Sequence, residues 1–77
     1  MNIDEFRKPH EKAMNLIWHV KHSDFDEYYS LLQDKEVSSM YDVHHYFKIG
    51  ENWQVSYDIC GLSFQDAYQY LVKEGIR

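Results

Sequence analysis

The chain contains one cysteine, Cys60, one proline, Pro9, and three glycines among its 77 residues. A single cysteine excludes an internal disulfide framework and suits a reducing compartment, so a cytoplasmic location is expected. With so little proline and glycine there is no flexible linker and no low-complexity tract, and these residues punctuate one folded unit. No apolar run approaches the roughly 18 residues of a membrane span. The segment Met1–Glu5 lacks the basic head and apolar stretch of a secretory signal. Basic residues are scarce too. Eight Lys and Arg stand against 13 Asp and Glu, a net charge of −5. That balance argues against a protein built to grip phosphate backbones, so no nucleic-acid partner is expected.

Aromatic side chains are what the sequence has in plenty. Seven Tyr, four Phe and two Trp make up 17% of the residues. Residues 1–77 are expected to form a single small domain with a thin stability margin. Small domains offset a thin margin with disulfides, metal or association, and here the disulfide is excluded.

A first helix is expected over 9–22. Pro9 suits a first helical turn, and Ala13, Leu16, Ile17 and Val20 recur at helical spacing with Met14 and Trp18 beside them. Residues 1–8 are polar and are expected to fray. A second helix is expected from Asp24 to about Lys35. Asp24 with Glu27 resembles a capping box, and Phe25, Tyr28, Leu31 and Leu32 mark its apolar side.

The period then changes. Tyr41, Val43, His45, Phe47 and Ile49 alternate with polar residues, as do Trp53, Val55, Tyr57 and Ile59. A hairpin with strands near 41–49 and 53–60 follows, joined by a loop at 50–52 in which Asn52 takes a left-handed conformation. Keeping both apolar sets on one face pairs Ile49 with Trp53, Phe47 with Val55, His45 with Tyr57 and Val43 with Ile59. A last helix starts at Ser63, buries Phe64, Ala67, Tyr68 and Leu71 with Val72 at the border, and stops at Gly75 with Ile76 folding back. The expected fold is therefore α+β, in the order helix-helix-strand-strand-helix, with a two-stranded antiparallel hairpin packed on helices. A competing parse makes 39–48 the recognition helix of a winged-helix-like DNA-binding regulator. Its weakness is the few bases available there, Lys48 and two neutral histidines.

The hairpin register sets Asp42 opposite Cys60 and His44 opposite Asp58. These four are candidate metal ligands on a weak signal, because no zinc-type spacing supports them. No metal and no cofactor is expected. His44 and His45 would point to opposite faces of a strand and could not act on one substrate. Cys60 has no evident base, and the sequence carries no phosphate loop or nucleophile elbow. No catalytic residue is assigned, and an enzyme is not expected.

The aromatic excess points to protein contact, since Tyr and Trp concentrate at interface centres. Tyr29, Tyr46 and Tyr70 lie off the apolar stripes and are expected to be partly exposed, with Trp53 at the hairpin. Asp24, Asp26 and Glu27 form an acidic knot. These seven are the candidate partner-binding residues. The expected function is a small acidic, non-catalytic protein-binding module that inhibits or modulates a larger protein. Phage and mobile-element inhibitors, anti-CRISPR proteins among them, often share this size and composition. A homodimer through an exposed hairpin edge is also expected.

Overall fold

The computed structural model describes residues 1–75. Two helices and four strands follow one another as α1 (Ile3–Glu11), β1 (Met14–Lys21), β2 (Tyr28–Asp34), β3 (Tyr41–Ile49), β4 (Asn52–Leu62) and α2 (Phe64–Lys73). The strands form one antiparallel meander in the order β1-β2-β3-β4. Successive residues of a strand face opposite ways, and β3 shows where the helices sit. Its Val43 packs with Ala67 and Leu71 of α2, while the hydroxyl of Tyr46 reaches Glu11 of α1. The sheet is covered on both faces.

The α+β class stands, but the expected order of elements does not. The predicted helix over 9–22 is displaced. The helix lies in the segment expected to fray, and 14–21 is a strand. Asn2 caps α1 with its side chain on the Glu5 N–H, and the Glu5 carboxylate returns the bond to the Asn2 N–H. Pro9 falls inside the last turns of α1, where it removes an N–H, and the helix ends soon after at Glu11. In β1 the register shifts between Leu16 and Trp18. That bulge breaks the two-residue alternation, so Leu16, Ile17 and Val20 mimic helical spacing.

The predicted second helix, Asp24 to Lys35, is also a strand in its greater part. No cap forms at Asp24, whose N–H is bound by His22 Nδ1 at 3.0 Å. Tyr29, Ser30, Leu31 and Leu32 are all buried because β2 is an inner strand with a helix on each face. A strand buried on both sides has no polar face, and its apolar run then reads as a helix.

The hairpin at 41–62 forms, with a changed register. The connection is two residues long, Gly50 alone taking positive φ (+63°), and Ile49 pairs with Asn52 while Lys48 pairs with Trp53. Asn52 is not left-handed. Phe47 therefore pairs with Gln54 and His44 with Tyr57, against the expected Phe47–Val55 and His45–Tyr57. Two irregularities in β4 restore Val43 opposite Ile59 and set Tyr41 opposite Leu62. Because both faces are covered, the two apolar sets do not have to share one. Residues 41–49 being a strand, the recognition helix of the competing parse does not exist.

The last helix matches expectation in extent, with Ser63 accepting the Asp66 N–H at 3.2 Å. The expected fold-back of Ile76 lies outside the described residues. The main core consists of Tyr29, Leu31, Val43, Ala67 and Leu71, bordered by Trp18, Val20, Tyr41, Ile59 and Tyr70.

Candidate partner-binding surface

On the helical wheel Ala67 and Leu71 mark the line of α2 that meets the sheet, and both are fully buried. Phe64, Tyr68 and Val72 occupy the adjoining flank at i, i+4 and i+8 and stay 46%, 43% and 48% exposed. This flank faces the β1 side of the sheet. The Tyr68 ring stacks toward Trp18 of β1 with centroids 6.5 Å apart at 27°. Phe64 stacks on Tyr68 at 6.0 Å and meets Tyr41 edge-on at 5.3 Å. Four rings thus run in series across the sheet from β3 to β1, with two of them open to solvent.

The far end of the stripe meets the β1–β2 turn. Ser23 Oγ donates to the Gly75 carbonyl at 2.9 Å, and Phe25, exposed itself, lies 4.9 Å from the His22 ring. Asp24 and Asp26 project from that turn, both exposed. The surface is apolar along its length and acidic at one end.

The residues singled out from the sequence fall elsewhere. Tyr29 is only 2% exposed and Tyr46 0%, which corrects the expectation that they are partly open. Tyr29 lies flat on the His45 ring, 4.5 Å between centroids at 6°. Burial there pushes its hydroxyl up to about 12, with the Glu74, Glu27 and Asp58 charges adding to the effect. Tyr70 is half-buried and its hydroxyl donates to Asp58 Oδ2 at 2.5 Å; burial and this bond push its hydroxyl pKa upward. Trp53 is half-buried, its Nε1 donating to the Met1 carbonyl at 3.1 Å beside a pocket of about 320 Å³ lined by Met1, Phe6, Glu51, Asn52 and Trp53. Of the acidic knot, Asp24 and Asp26 are exposed in the turn whose Ser23 binds Gly75, while Glu27 turns to His45 Nε2 at 2.8 Å.

That last contact belongs to a cluster of acid, histidine and hydroxyl groups. His45 lies between Glu27 and Asp58, whose Oδ2 is 3.8 Å from Nδ1. Asp58 also accepts hydrogen bonds from the hydroxyls of Ser56 and Tyr70. A serine nucleophile needs its proton aimed at the histidine. Here the Ser56 hydroxyl donates to the Asp58 carboxylate, and the contacts of the group tie β3, β4 and α2 together.

The four metal candidates are dispersed. His44 is buried beneath α1, Asp42 Oδ1 accepts the Gly61 N–H at 2.9 Å, Cys60 is exposed, and Asp58 faces α2. The register expected to pair His44 with Asp58 sets His44 opposite Tyr57. Among the described residues no three His, Cys, Asp or Glu side chains gather to hold a metal, and no helix is long and apolar enough to cross a membrane.

Sequence reasoning had Phe64 and Tyr68 as buried. The signal against it was the width of the stripe. Phe64, Ala67, Tyr68, Leu71 and Val72 span more of the helix circumference than one sheet face covers. No family model, curated protein or solved structure matches the chain, and the functional reading therefore rests on this geometry.

Proposed function

We propose that the protein is a non-catalytic protein-binding module that docks the Phe64–Tyr68–Val72 flank of α2, with Trp18, against a larger protein and inhibits or modulates it by occlusion. The observation that carries this reading is the exposure of three large apolar residues in register on one helix, next to a half-buried Trp. Scattered surface apolar residues are ordinary, but a contiguous aromatic stripe marks an interaction site. Tyr and Trp bring large contact area at low entropic cost. The net charge of −5, with Asp24 and Asp26 at one end of the stripe, suits a partner whose apolar patch is bordered by Lys or Arg.

The test is affinity capture from a candidate host lysate with wild type, Tyr68→Ser and Phe64→Ser in parallel, followed by titration with the purified captured protein. The reading expects one partner whose affinity falls at least about tenfold with each variant while both variants keep a native circular dichroism spectrum at the binding temperature. Equal binding by all three overturns it.

A further inference from the structure

The turn between β1 and β2, residues 22–27, carries Phe25, the most exposed aromatic side chain among the described residues at 59%. The turn that presents it is held at several points. The His22 N–H donates to the Glu27 carbonyl at 2.7 Å, and the Asp24 N–H binds His22 Nδ1 at 3.0 Å. Lys21 Nζ donates to the Phe25 carbonyl at 3.0 Å, and the Glu27 carboxylate is bound to His45. The His22 ring lies 4.9 Å from that of Phe25 and 6.4 Å from that of Tyr29, and a Cβ on Gly75 would come 3.0 Å from its Nε2. His22 is thus lodged between the core and the end of α2, where Ser23 Oγ also binds the Gly75 carbonyl. Phe25 therefore stands on the α2 side of the sheet, beyond the C-terminal end of the Phe64–Tyr68–Val72 flank.

The charge around this ring has one sign in excess. Segment 21–27 holds Lys21 against Asp24, Asp26 and Glu27, and Lys73 and Glu74 at the end of α2 offset each other. The Lys21 ammonium is bound to the Phe25 carbonyl and Glu27 to His45. Asp24 and Asp26, on either side of Phe25, are exposed and in no ion pair among the described residues. A phenylalanine, unlike a tyrosine, brings no hydroxyl that needs a partner, so its complement is a wholly apolar pocket. A ring already fixed in place loses little freedom on being buried, and that favours binding. The two carboxylates beside it match basic groups at the mouth of such a pocket.

We infer that Phe25 is a pre-positioned knob that enters an apolar pocket of the partner protein, a pocket whose rim carries Lys or Arg to meet Asp24 and Asp26. His22 is the positioning residue of the knob, since its ring supports Phe25 and its Nδ1 holds the Asp24 N–H. The inference rests on the partner-binding reading of the α2 flank and gives that surface a second anchor of different chemistry.

The test titrates the purified protein captured in the Tyr68 experiment against full-chain variants, following association and dissociation separately. Phe25→Ala, at an exposed position, should keep a native circular dichroism spectrum and weaken binding at least about tenfold, mostly through faster dissociation. The double variant Asp24→Asn, Asp26→Asn should slow association at least about threefold at low salt and flatten its dependence on ionic strength. His22→Ala should weaken binding at least about threefold although Phe25 is intact, and His22→Asn, whose side-chain oxygen can accept the Asp24 N–H, should restore most of the loss. If Phe64→Ser and Tyr68→Ser lose affinity while Phe25→Ala binds as wild type does, the knob is overturned and the reading of the flank stands. An unchanged salt dependence in the double Asn variant overturns the basic rim. Capture of no partner, or equal binding by wild type, Phe64→Ser and Tyr68→Ser, overturns the reading of the flank and the knob with it.

Discussion

α2 sets Ala67 and Leu71 onto Tyr29, Leu31 and Val43, whereas α1 reaches the opposite face through a chain of polar contacts. Arg7 binds Asp4 at 3.0 Å and Glu11 at 2.8 Å, and Glu11 accepts the Tyr46 hydroxyl at 2.7 Å. Tyr46 has one proton and gives it to Glu11, so its 3.1 Å contact with His44 Nδ1 requires that nitrogen to carry the hydrogen. His10 meets Tyr57 at 3.0 Å and His19 meets Ser30 at 3.1 Å on the same face. Phe6 of α1 lies edge-on to Tyr46 at 6.2 Å. The helix that buries apolar surface is also the one with apolar surface left over. That contrast teaches which helix is free to meet a partner: α1 spends its side chains on the sheet, and α2 has a flank to offer.

The contrast can be broken by substitution. Leu71→Ala should have the largest effect, a loss of about 3 kcal/mol in denaturant unfolding, since it empties the centre of the α2 contact. Tyr46→Phe should cost less, about 1–3 kcal/mol, by leaving the buried Glu11 carboxylate short of a donor without opening a cavity. If Tyr46→Phe proved neutral, the polar network would not be what holds α1. Phe64→Ser and Tyr68→Ser should be the mildest, about 0.5–1 kcal/mol each by thermal melting, because both side chains are already nearly half exposed.

Acidity should act on the α1 side. Burial holds His44 below its ordinary value, against the pull of Glu11 and Asp42. His19 is held down likewise by burial, with the Arg7 charge adding to it. Both groups start from 6.5 in the unfolded chain. Below that pH the unfolded state binds more protons, so stability is fully present above about 6.5 and declines as pH falls through 6.5 toward the depressed folded values. Urea midpoints measured at pH 7.5 and pH 5.5 check this, and His44→Gln should flatten the decline. A midpoint that rises on acidification would contradict it.

Much of the β3–β4 and α2 region was legible in the sequence, and the first half was not. The alternation from Tyr41 to Ile59 and the Ser63 cap are local signals that the tertiary structure leaves intact. The bulge at Leu16–Trp18 erased the alternation of β1, and burial on both faces erased that of β2. The two failures have different origins, a local irregularity in the outer strand and tertiary cover on the inner one. A four-stranded sheet covered on both faces needs no polar side on its inner strands, and the hairpin alone gave no hint of the second layer. Asn2 and Glu5 have the three-residue spacing of a capping box, a signal the reading of Pro9 as a helix start passed over. The aromatic excess drew attention to tyrosines, and periodicity chose Tyr29 and Tyr46, which the inner strands bury, over Tyr68, which the flank of α2 leaves open.

Native-state hydrogen exchange, resolved by residue, tests the two-chemistry account most directly. Amides of α2 from Ala67 to Lys73, seated on the apolar core, should exchange only through global unfolding, with steep denaturant dependence. Amides of α1 from Phe6 to Glu11 should exchange through a smaller opening at clearly lower free energy and with little denaturant dependence, and Tyr46→Phe should lower that energy further while leaving the ranking unchanged. Equal protection of the two helices, or α1 outlasting α2, would contradict the account.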